Sequence, residues 1–165
     1  MNNIQNEKID VLIPVYNGAK YIERCIKSIM RQTYENINII VLNDGSIDDS
    51  LSIIEKLAEE DDRIIVYSKN NEKKVSIARN YLLEKITSKY FIFVDADDIV
   101  SPTYLSLLKE AIDKGNAKMA CCEYTIFKSF LSKSKKLKNL KIYNSQSAIG
   151  EFVLGGRGHT CFGIS

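Results

Sequence analysis

Apolar and polar residues alternate along most of the chain in blocks that predict strands followed by amphipathic helices. Five segments are predicted to be strands, and the first and fourth are apolar enough to be buried within a sheet covered by helices. They are Ile9–Val15, Asn36–Leu42, Arg63–Tyr67, Tyr90–Val94 and Ala117–Phe127. Apolar residues at helical spacing follow each of the first four runs. This order predicts right-handed βαβ units and therefore an α/β fold, with a mostly parallel sheet flanked by helices.

Short polar signals predict where two of the helices begin and end. Ser46 and Asp49 have the spacing of a capping box at the start of the second helix. Ser101 as N-cap, with Pro102 in the first turn, starts the fourth helix. Gly115 is placed to end that helix.

Three polar clusters follow three of the predicted strands. They are Pro14–Asn17, Asn43–Ser46 and Asp95–Asp98. Because the carboxyl ends of parallel strands meet at one edge of a sheet, we expect these clusters to line one crevice, where open α/β sheets bind ligands.

The third cluster concentrates three carboxylates, those of Asp95, Asp97 and Asp98. Adjacent carboxylates repel one another and raise each other's pKa values unless a cation lies among them. Oxygen ligands favour a hard divalent ion such as Mg²⁺ or Mn²⁺, which takes one or two carboxylates together with a substrate's phosphates. The alternative is a solvated cluster that starts a turn and caps the following helix.

Composition and charge narrow the class of protein. The 165 residues suffice for one domain with a sizeable core, and 45% hydrophobic with 27% charged residues is typical of a soluble globular protein. A net charge of +2 implies no general affinity for nucleic acid. Residues 1–8 are polar and lack a signal-peptide core, and no apolar run approaches the roughly 18 residues that cross a bilayer. The four cysteines show no zinc or Cys-x-x-Cys spacing, so we expect free thiols and a cytoplasmic location.

The character of the chain changes after residue 127. Lys128–Lys141 is basic and lies in a stretch without acidic residues. It is either a solvated loop or a patch for an anionic acceptor or the inner face of an acidic-lipid membrane. Gln146–Leu154 is a possible short helix, and Gly155–Gly158 is a loop beside His159. We therefore divide the chain into a tail (1–8), a domain (9–127) and the start of an acceptor region (128–165).

Several phosphate-binding classes do not fit. No Gly-x-Gly-x-x-Gly follows the first strand, and the chain has no P-loop. The first strand also lacks the acids that a phosphate-accepting receiver domain needs at its end. No arrangement supports Ser-His-Asp or Cys-His catalysis.

Four segments, in order, resemble the successive signatures of family 2 glycosyltransferases with the GT-A fold. They are Val11–Asn17, Asn43–Ser50, Ala78–Asn80 and Val94–Asp98, and the resemblance covers residues 9–127. It implies an inverting enzyme that transfers a sugar from a nucleotide diphosphate donor, usually linked to uridine diphosphate (UDP), to a hydroxyl of a cell-surface glycan or lipid-linked saccharide.

The resemblance also implies roles for individual residues. Pro14, Val15 and Tyr16 would lie against the uridine, and Asp44 would accept a hydrogen bond from uracil. Asp95 would reach the ribose or the water shell of the metal, and Asp97 would bind the Mn²⁺ or Mg²⁺ that bridges the diphosphate. The full set of expected donor contacts is Pro14, Val15, Tyr16, Asn17, Asp44, Lys74, Asp95 and Ala96. Asp98 completes the acidic cluster.

Two departures from the family's pattern stand out. Lys74 occupies a position near which the family usually has glycine, and it could instead reach uracil or phosphate. No segment matches the one that carries the family's general base, so we expect the base beyond Ser165, in a longer enzyme. The alternatives are a sugar-phosphate nucleotidyltransferase, for which Asn17–Lys20 is a poor phosphate loop, and a non-catalytic nucleotide-binding module that recruits partners.

Overall fold

The computed structural model describes residues 7–70, 74–122 and 160–164. Within these residues, strands and helices alternate as the sequence predicts. They are β1 (Ile9–Val15), α1 (Ile22–Met30), β2 (Ile37–Asp44), α2 (Ser50–Glu60), β3 (Ile64–Lys69), α3 (Val75–Leu83), β4 (Tyr90–Phe93), α4 (Tyr104–Gly115), β5 (Met119–Cys122) and β6 (Thr160–Ile164).

The described strands form one six-stranded sheet in the order β3-β2-β1-β4-β6-β5. The first four strands of that order are parallel to one another. β6 runs antiparallel to both β4 and β5. The predicted mostly parallel sheet is thereby confirmed, but the sequence did not predict β6. Its five residues are too short a run to stand out, and Gly163 interrupts them.

Helices cover both faces of the sheet. Alternate residues of each strand point to opposite faces, so each strand contributes side chains to both layers. The odd-numbered residues of β1, from Ile9 to Val15, are buried in a cluster with side chains of α1, α2 and α4. On the other face, Leu12 packs with Ala78 and Leu82 of α3. The same alternation continues to the ends of the strands. Pro14 and the last residue of β2 therefore lie on the face of the sheet that α3 covers.

A buried carboxylate joins β1 to its neighbours at the opposite edge of the sheet. Asp10 is fully buried and accepts hydrogen bonds from the backbone N–H groups of Thr87 (2.7 Å) and Ser88 (2.9 Å). The Ser88 hydroxyl (2.7 Å) and the side-chain amide of Asn38 (2.8 Å) also donate to it. Hydrogen-bond donors from the α3–β4 loop and from β2 therefore satisfy the Asp10 carboxylate. They explain why an acidic residue stands in an otherwise apolar strand.

The capping box predicted at Ser46 and Asp49 does not form, and that prediction was wrong. α2 begins only at Ser50, whose backbone N–H donates to Asp48 Oδ1 (3.1 Å). The Ser46 hydroxyl instead accepts a hydrogen bond from the backbone N–H of Asn17 (3.0 Å). Ser46 thus connects two loops rather than capping its own helix.

Both ends of α4 also differ from the prediction. The N-cap is Thr103 and not Ser101. Ser101 lies in the turn before the helix, where its carbonyl accepts a hydrogen bond from the Tyr104 N–H (3.0 Å). At the other end the helix includes Gly115, and Asn116 takes the left-handed conformation with φ 42°. Asparagine tolerates that conformation better than most residues, so it can end a helix in place of glycine.

Several sequence predictions lie outside the described residues. They concern the basic stretch Lys128–Lys141, the short helix Gln146–Leu154 and the loop with His159. Cys25, Cys121 and Cys122 are free thiols. No helix in the described ranges is long and apolar enough to cross a membrane.

Candidate functional site

A cleft of about 380 Å³ opens at the carboxyl edge of the sheet, on the side that α3 covers. Five of the predicted donor residues line it: Pro14, Val15, Tyr16, Asp44 and Lys74. The remaining lining residues, Val75 and Ala78, come from α3 and were not predicted. Their spacing of three residues on one helix face, with Ala78 inside the Ala-Arg-Asn segment, was the signal that could have identified them.

Asp44 forms the polar part of the cleft wall. β2 runs two residues further than predicted, so Asp44 is its last residue and is held in the ladder opposite Lys69 of β3. The carboxylate is buried, and Lys69 Nζ lies 3.5 Å from its Oδ1. Oδ1 itself accepts no hydrogen bond from any described residue. A buried carboxylate that lines the cleft is therefore present at the place where the sequence predicts a base-binding acid.

Asn17 connects the β1–α1 loop to the β2–α2 loop. It adopts a positive φ of 50°, and its side-chain Oδ1 accepts a hydrogen bond from the backbone N–H of Ile47 (2.9 Å). Its own backbone N–H donates to Ser46 Oγ (3.0 Å). Asn17 does not line the cleft, and these bonds hold the loop that follows Tyr16. Its direct contact with the donor stays a prediction.

A second pair of hydrogen bonds joins the same loops. The backbone N–H of Gly18 donates to the buried Ser50 hydroxyl (2.8 Å), and the N–H of Ala19 donates to Asp48 Oδ2 (3.0 Å). Gly18 has little space around it, since a Cβ there would lie 3.2 Å from Val15 Cγ1. These bonds make one hydrogen-bonded unit of the β1–α1 and β2–α2 loops, next to the cleft residues Val15 and Tyr16.

The acidic segment, residues 95–98, follows β4 at the same edge but does not line the cleft. Asp95 forms an ion pair with Arg79 of α3 (2.7 Å), and the Arg79 guanidinium lies 5.5 Å from the ring centroid of Phe93. Arg79 Nε is buried without a hydrogen-bond partner among the described residues. Arg79 thus links the helix that lines the cleft to the acidic segment, and it was not among the predicted site residues.

Backbone contacts hold the acidic segment against α1. Arg24 donates to the Asp97 carbonyl (3.1 Å), and the Cys25 thiol donates to the Asp95 carbonyl (3.5 Å). Burial and the nearby charges of the acidic segment raise the pKa of Cys25 to about 12, so this thiol stays protonated. Ala96 packs against the core. The segment therefore presents its acidic side chains from a fixed backbone.

Three carboxylates on this short segment concentrate negative charge. Partial burial, followed by the charges of Asp97 and Asp95, raises the pKa of Asp98. Among the described residues, no group of three or more acids, histidines or cysteines is placed to hold a metal ion by itself. The segment fits a divalent ion that needs only one or two carboxylates and takes its other ligands from phosphate and water.

Comparisons with known proteins agree with this geometry. A family model described as "Glycosyl transferase family 2" matches residues 10–164. Glycosyltransferase GlyA of Streptococcus pneumoniae serotype 4 is 39% identical over 122 residues, which cover 74% of this chain and 17% of that protein. Glycosyltransferase GlyG of the same organism is 33% identical over 119 residues, or 72% of this chain and 40% of that protein. The chain therefore spans less than half the length of these relatives.

Solved structures share the fold. S. aureus TarS 1-349 is 27% identical with a TM-score of 0.63, covering 68% of this chain and 34% of that one. Its complex with UDP matches at 24% identity and a TM-score of 0.68, over 79% of this chain and 40% of that one. The mannosyltransferase PcManGT from Pyrobaculum calidifontis, in complex with GDP-Man and Mn²⁺, matches at 21% identity and a TM-score of 0.62, over 72% and 36%. The predicted GT-A fold is confirmed.

Proposed function

We propose, from the premise that this chain belongs to glycosyl transferase family 2, that its cleft binds the nucleotide of a UDP-sugar donor. The observation that carries the proposal is the Asp44 carboxylate, which lies in the wall of the cleft at the end of β2. Uracil carries a ring N–H that can donate to it. Tyr16, which is 55% exposed on the same cleft, offers an aromatic surface for the base.

The diphosphate extends from this cleft towards the acidic segment. Asp97 would hold a divalent ion, Mn²⁺ or Mg²⁺, and Asp95 would contact the ribose or the ion. When bound, such an ion stabilises the negative charge of a departing diphosphate as a Lewis acid. Arg79 keeps Asp95 in place through their 2.7 Å ion pair, and Lys74 supplies a positive charge at the cleft.

The reaction that fits this donor is transfer of the sugar, with inversion, to a hydroxyl of a cell-surface glycan or lipid-linked saccharide. The bond between the sugar and the diphosphate breaks, a bond to the acceptor oxygen forms on the opposite face, and the acceptor's proton goes to a general base. Asp44 is the one acid among the described residues that line the cleft, and we assign it to the nucleobase. We therefore propose that the general base comes from outside the described residues. The family match speaks against the nucleotidyltransferase alternative.

A titration with a panel of nucleotides tests this proposal. In the presence of Mn²⁺, UDP should bind more tightly than ADP, and Asp44→Ala should cost about 1–3 kcal/mol of UDP affinity, roughly 5- to 150-fold. The preference for UDP should shrink with it. Asp49→Ala is a suitable control, because the Asp49 side chain makes no capping hydrogen bond to α2. A preference that survives unchanged in Asp44→Ala would show that Asp44 does not recognise the base.

A further inference from the structure

We propose that Lys69 is a positioning residue that determines nucleobase preference, because it lies beside the Asp44 carboxylate and holds it in place in the cleft wall. The inference rests on the proposed function, since it concerns how Asp44 is kept ready for a base. Lys69 itself does not line the cleft. Its effect on binding therefore acts through Asp44.

The sheet register brings the two side chains together. Asp44 and Lys69 are the last residues of β2 and β3 and lie directly opposite each other in the parallel ladder. Their side chains are 7% and 15% exposed, so this is a largely buried ion pair and not a solvated surface pair. Removing one partner from such a pair leaves an uncompensated charge, which is far more costly than losing a surface pair.

The separation of the pair matters for binding. Lys69 Nζ lies 3.5 Å from Asp44 Oδ1, which is longer than the roughly 2.7–3.2 Å of a good hydrogen bond. The ammonium group therefore compensates the charge of the carboxylate, while Oδ1 accepts no hydrogen bond from the described residues. Oδ1 is thus fully buried beside Lys69, whereas Asp44 also lines the cleft, where a base can approach the carboxylate.

Aromatic side chains hold Lys69 on the α3 side of the sheet. Its Nζ lies 5.9 Å from the ring centroid of Tyr81, which packs edge-on against Tyr67 at 6.0 Å. Lys85 lies over the same two rings, at 4.7 Å and 5.4 Å. Lys85 thus shares the aromatic contacts of Lys69, whereas only Lys69 of the two is paired with Asp44.

The chemical consequence is a selection between pyrimidines. Uracil presents a proton on N3, which a carboxylate accepts, whereas cytosine presents an unprotonated N3, which a carboxylate repels. Without Lys69, the Asp44 carboxylate loses the cation beside its Oδ1 and is no longer held in place in the cleft wall. The cleft then loses its preference for uracil but keeps the groups that contact the phosphates.

The experiment measures the ratio of UDP to CDP affinity, with Mn²⁺ present, in wild type, Lys69→Met, Lys69→Gln and Lys69→Arg. Lys85→Met is the matched control, because it removes a lysine from the same aromatic pair. In wild type we expect UDP to bind about 10- to 100-fold more tightly than CDP, because one hydrogen bond to a charged group changes affinity by roughly this factor. Lys69→Met and Lys69→Gln should reduce the ratio at least several-fold, chiefly through weaker UDP binding, while Lys69→Arg and Lys85→Met retain most of it.

The outcomes separate this inference from the proposed function. If wild type prefers UDP and either neutral Lys69 variant that folds keeps the full ratio, the inference is wrong and the proposed function stands. If both neutral variants lose UDP and CDP affinity equally, Lys69 only supports the fold of the site, which also overturns the inference. If wild type binds neither nucleotide, both fail.

Discussion

Ser50 offers a quantitative test of how the β1–α1 and β2–α2 loops are held together. Its hydroxyl is fully buried, accepts the Gly18 N–H at 2.8 Å and donates to Asp48. Ser50→Ala leaves the buried Gly18 N–H without a partner, which costs about 1–3 kcal/mol. Alanine is the better helix former at the first residue of α2 by ~0.5 kcal/mol, so the net loss should be about 0.5–2.5 kcal/mol.

Urea denaturation of wild type and Ser50→Ala measures this loss. Ser52→Ala is the control, because the Ser52 hydroxyl donates to the exposed carbonyl of Asp49 (2.9 Å) and its loss should cost below ~0.5 kcal/mol. UDP affinity should fall in Ser50→Ala, since the loop carrying Gly18 packs against Val15 of the cleft. Equal stability of the two serine variants would refute the assignment of Ser50 as the connection between the loops.

Three further predictions concern carboxylates with different surroundings. Asp10→Ala should destabilise the fold by about 3–5 kcal/mol in urea denaturation, because it leaves two backbone donors and a side-chain amide of the interior without an acceptor; a loss below about 1 kcal/mol would contradict this. Asp97→Asn should leave the melting temperature unchanged but reduce UDP affinity in Mn²⁺ to the level seen with chelator, and undiminished affinity would remove Asp97 as a metal ligand. The hydrogen bond from Lys89 lowers the pKa of Glu7 from 4.5 to about 2, so the stability it contributes is present above about pH 4.5 and is lost as the pH falls towards 2. Both side chains are about half exposed, so this contribution should stay below ~1 kcal/mol, and Lys89→Met should reduce the acid sensitivity measured by melting at pH 3 and pH 6.

The sequence predicts the parts of the fold that depend on local pattern. β1, α1 and β4 are bounded by clear changes from apolar to polar residues, and the parallel order follows from the alternation of strands and helices. The prediction that three strand ends meet at one edge needed only that order. Five of the expected donor residues line the cleft for the same reason.

The errors arise where a side chain has a distant partner. Ser46 has the spacing of a helix cap, yet its hydroxyl bonds Asn17, 29 residues away along the chain. β6 is recognised only through its pairing with β4, which no local pattern encodes. Lys69 looks like an ordinary polar residue at a strand end, and only the β2–β3 register places it beside Asp44. Tertiary contacts determine all three features, so the spacing of residues along the sequence could not predict them.

A calorimetric titration of this chain with UDP, carried out once with Mn²⁺ and once with chelator, tests whether the cleft and the acidic segment together bind the donor. We expect saturable UDP binding in Mn²⁺, through Asp44 at the base and Asp97 at the diphosphate, and much weaker binding when the metal is removed. Equal affinity under the two conditions would contradict the role of the acidic segment, and no UDP binding under either would contradict the assignment of the cleft as a donor site.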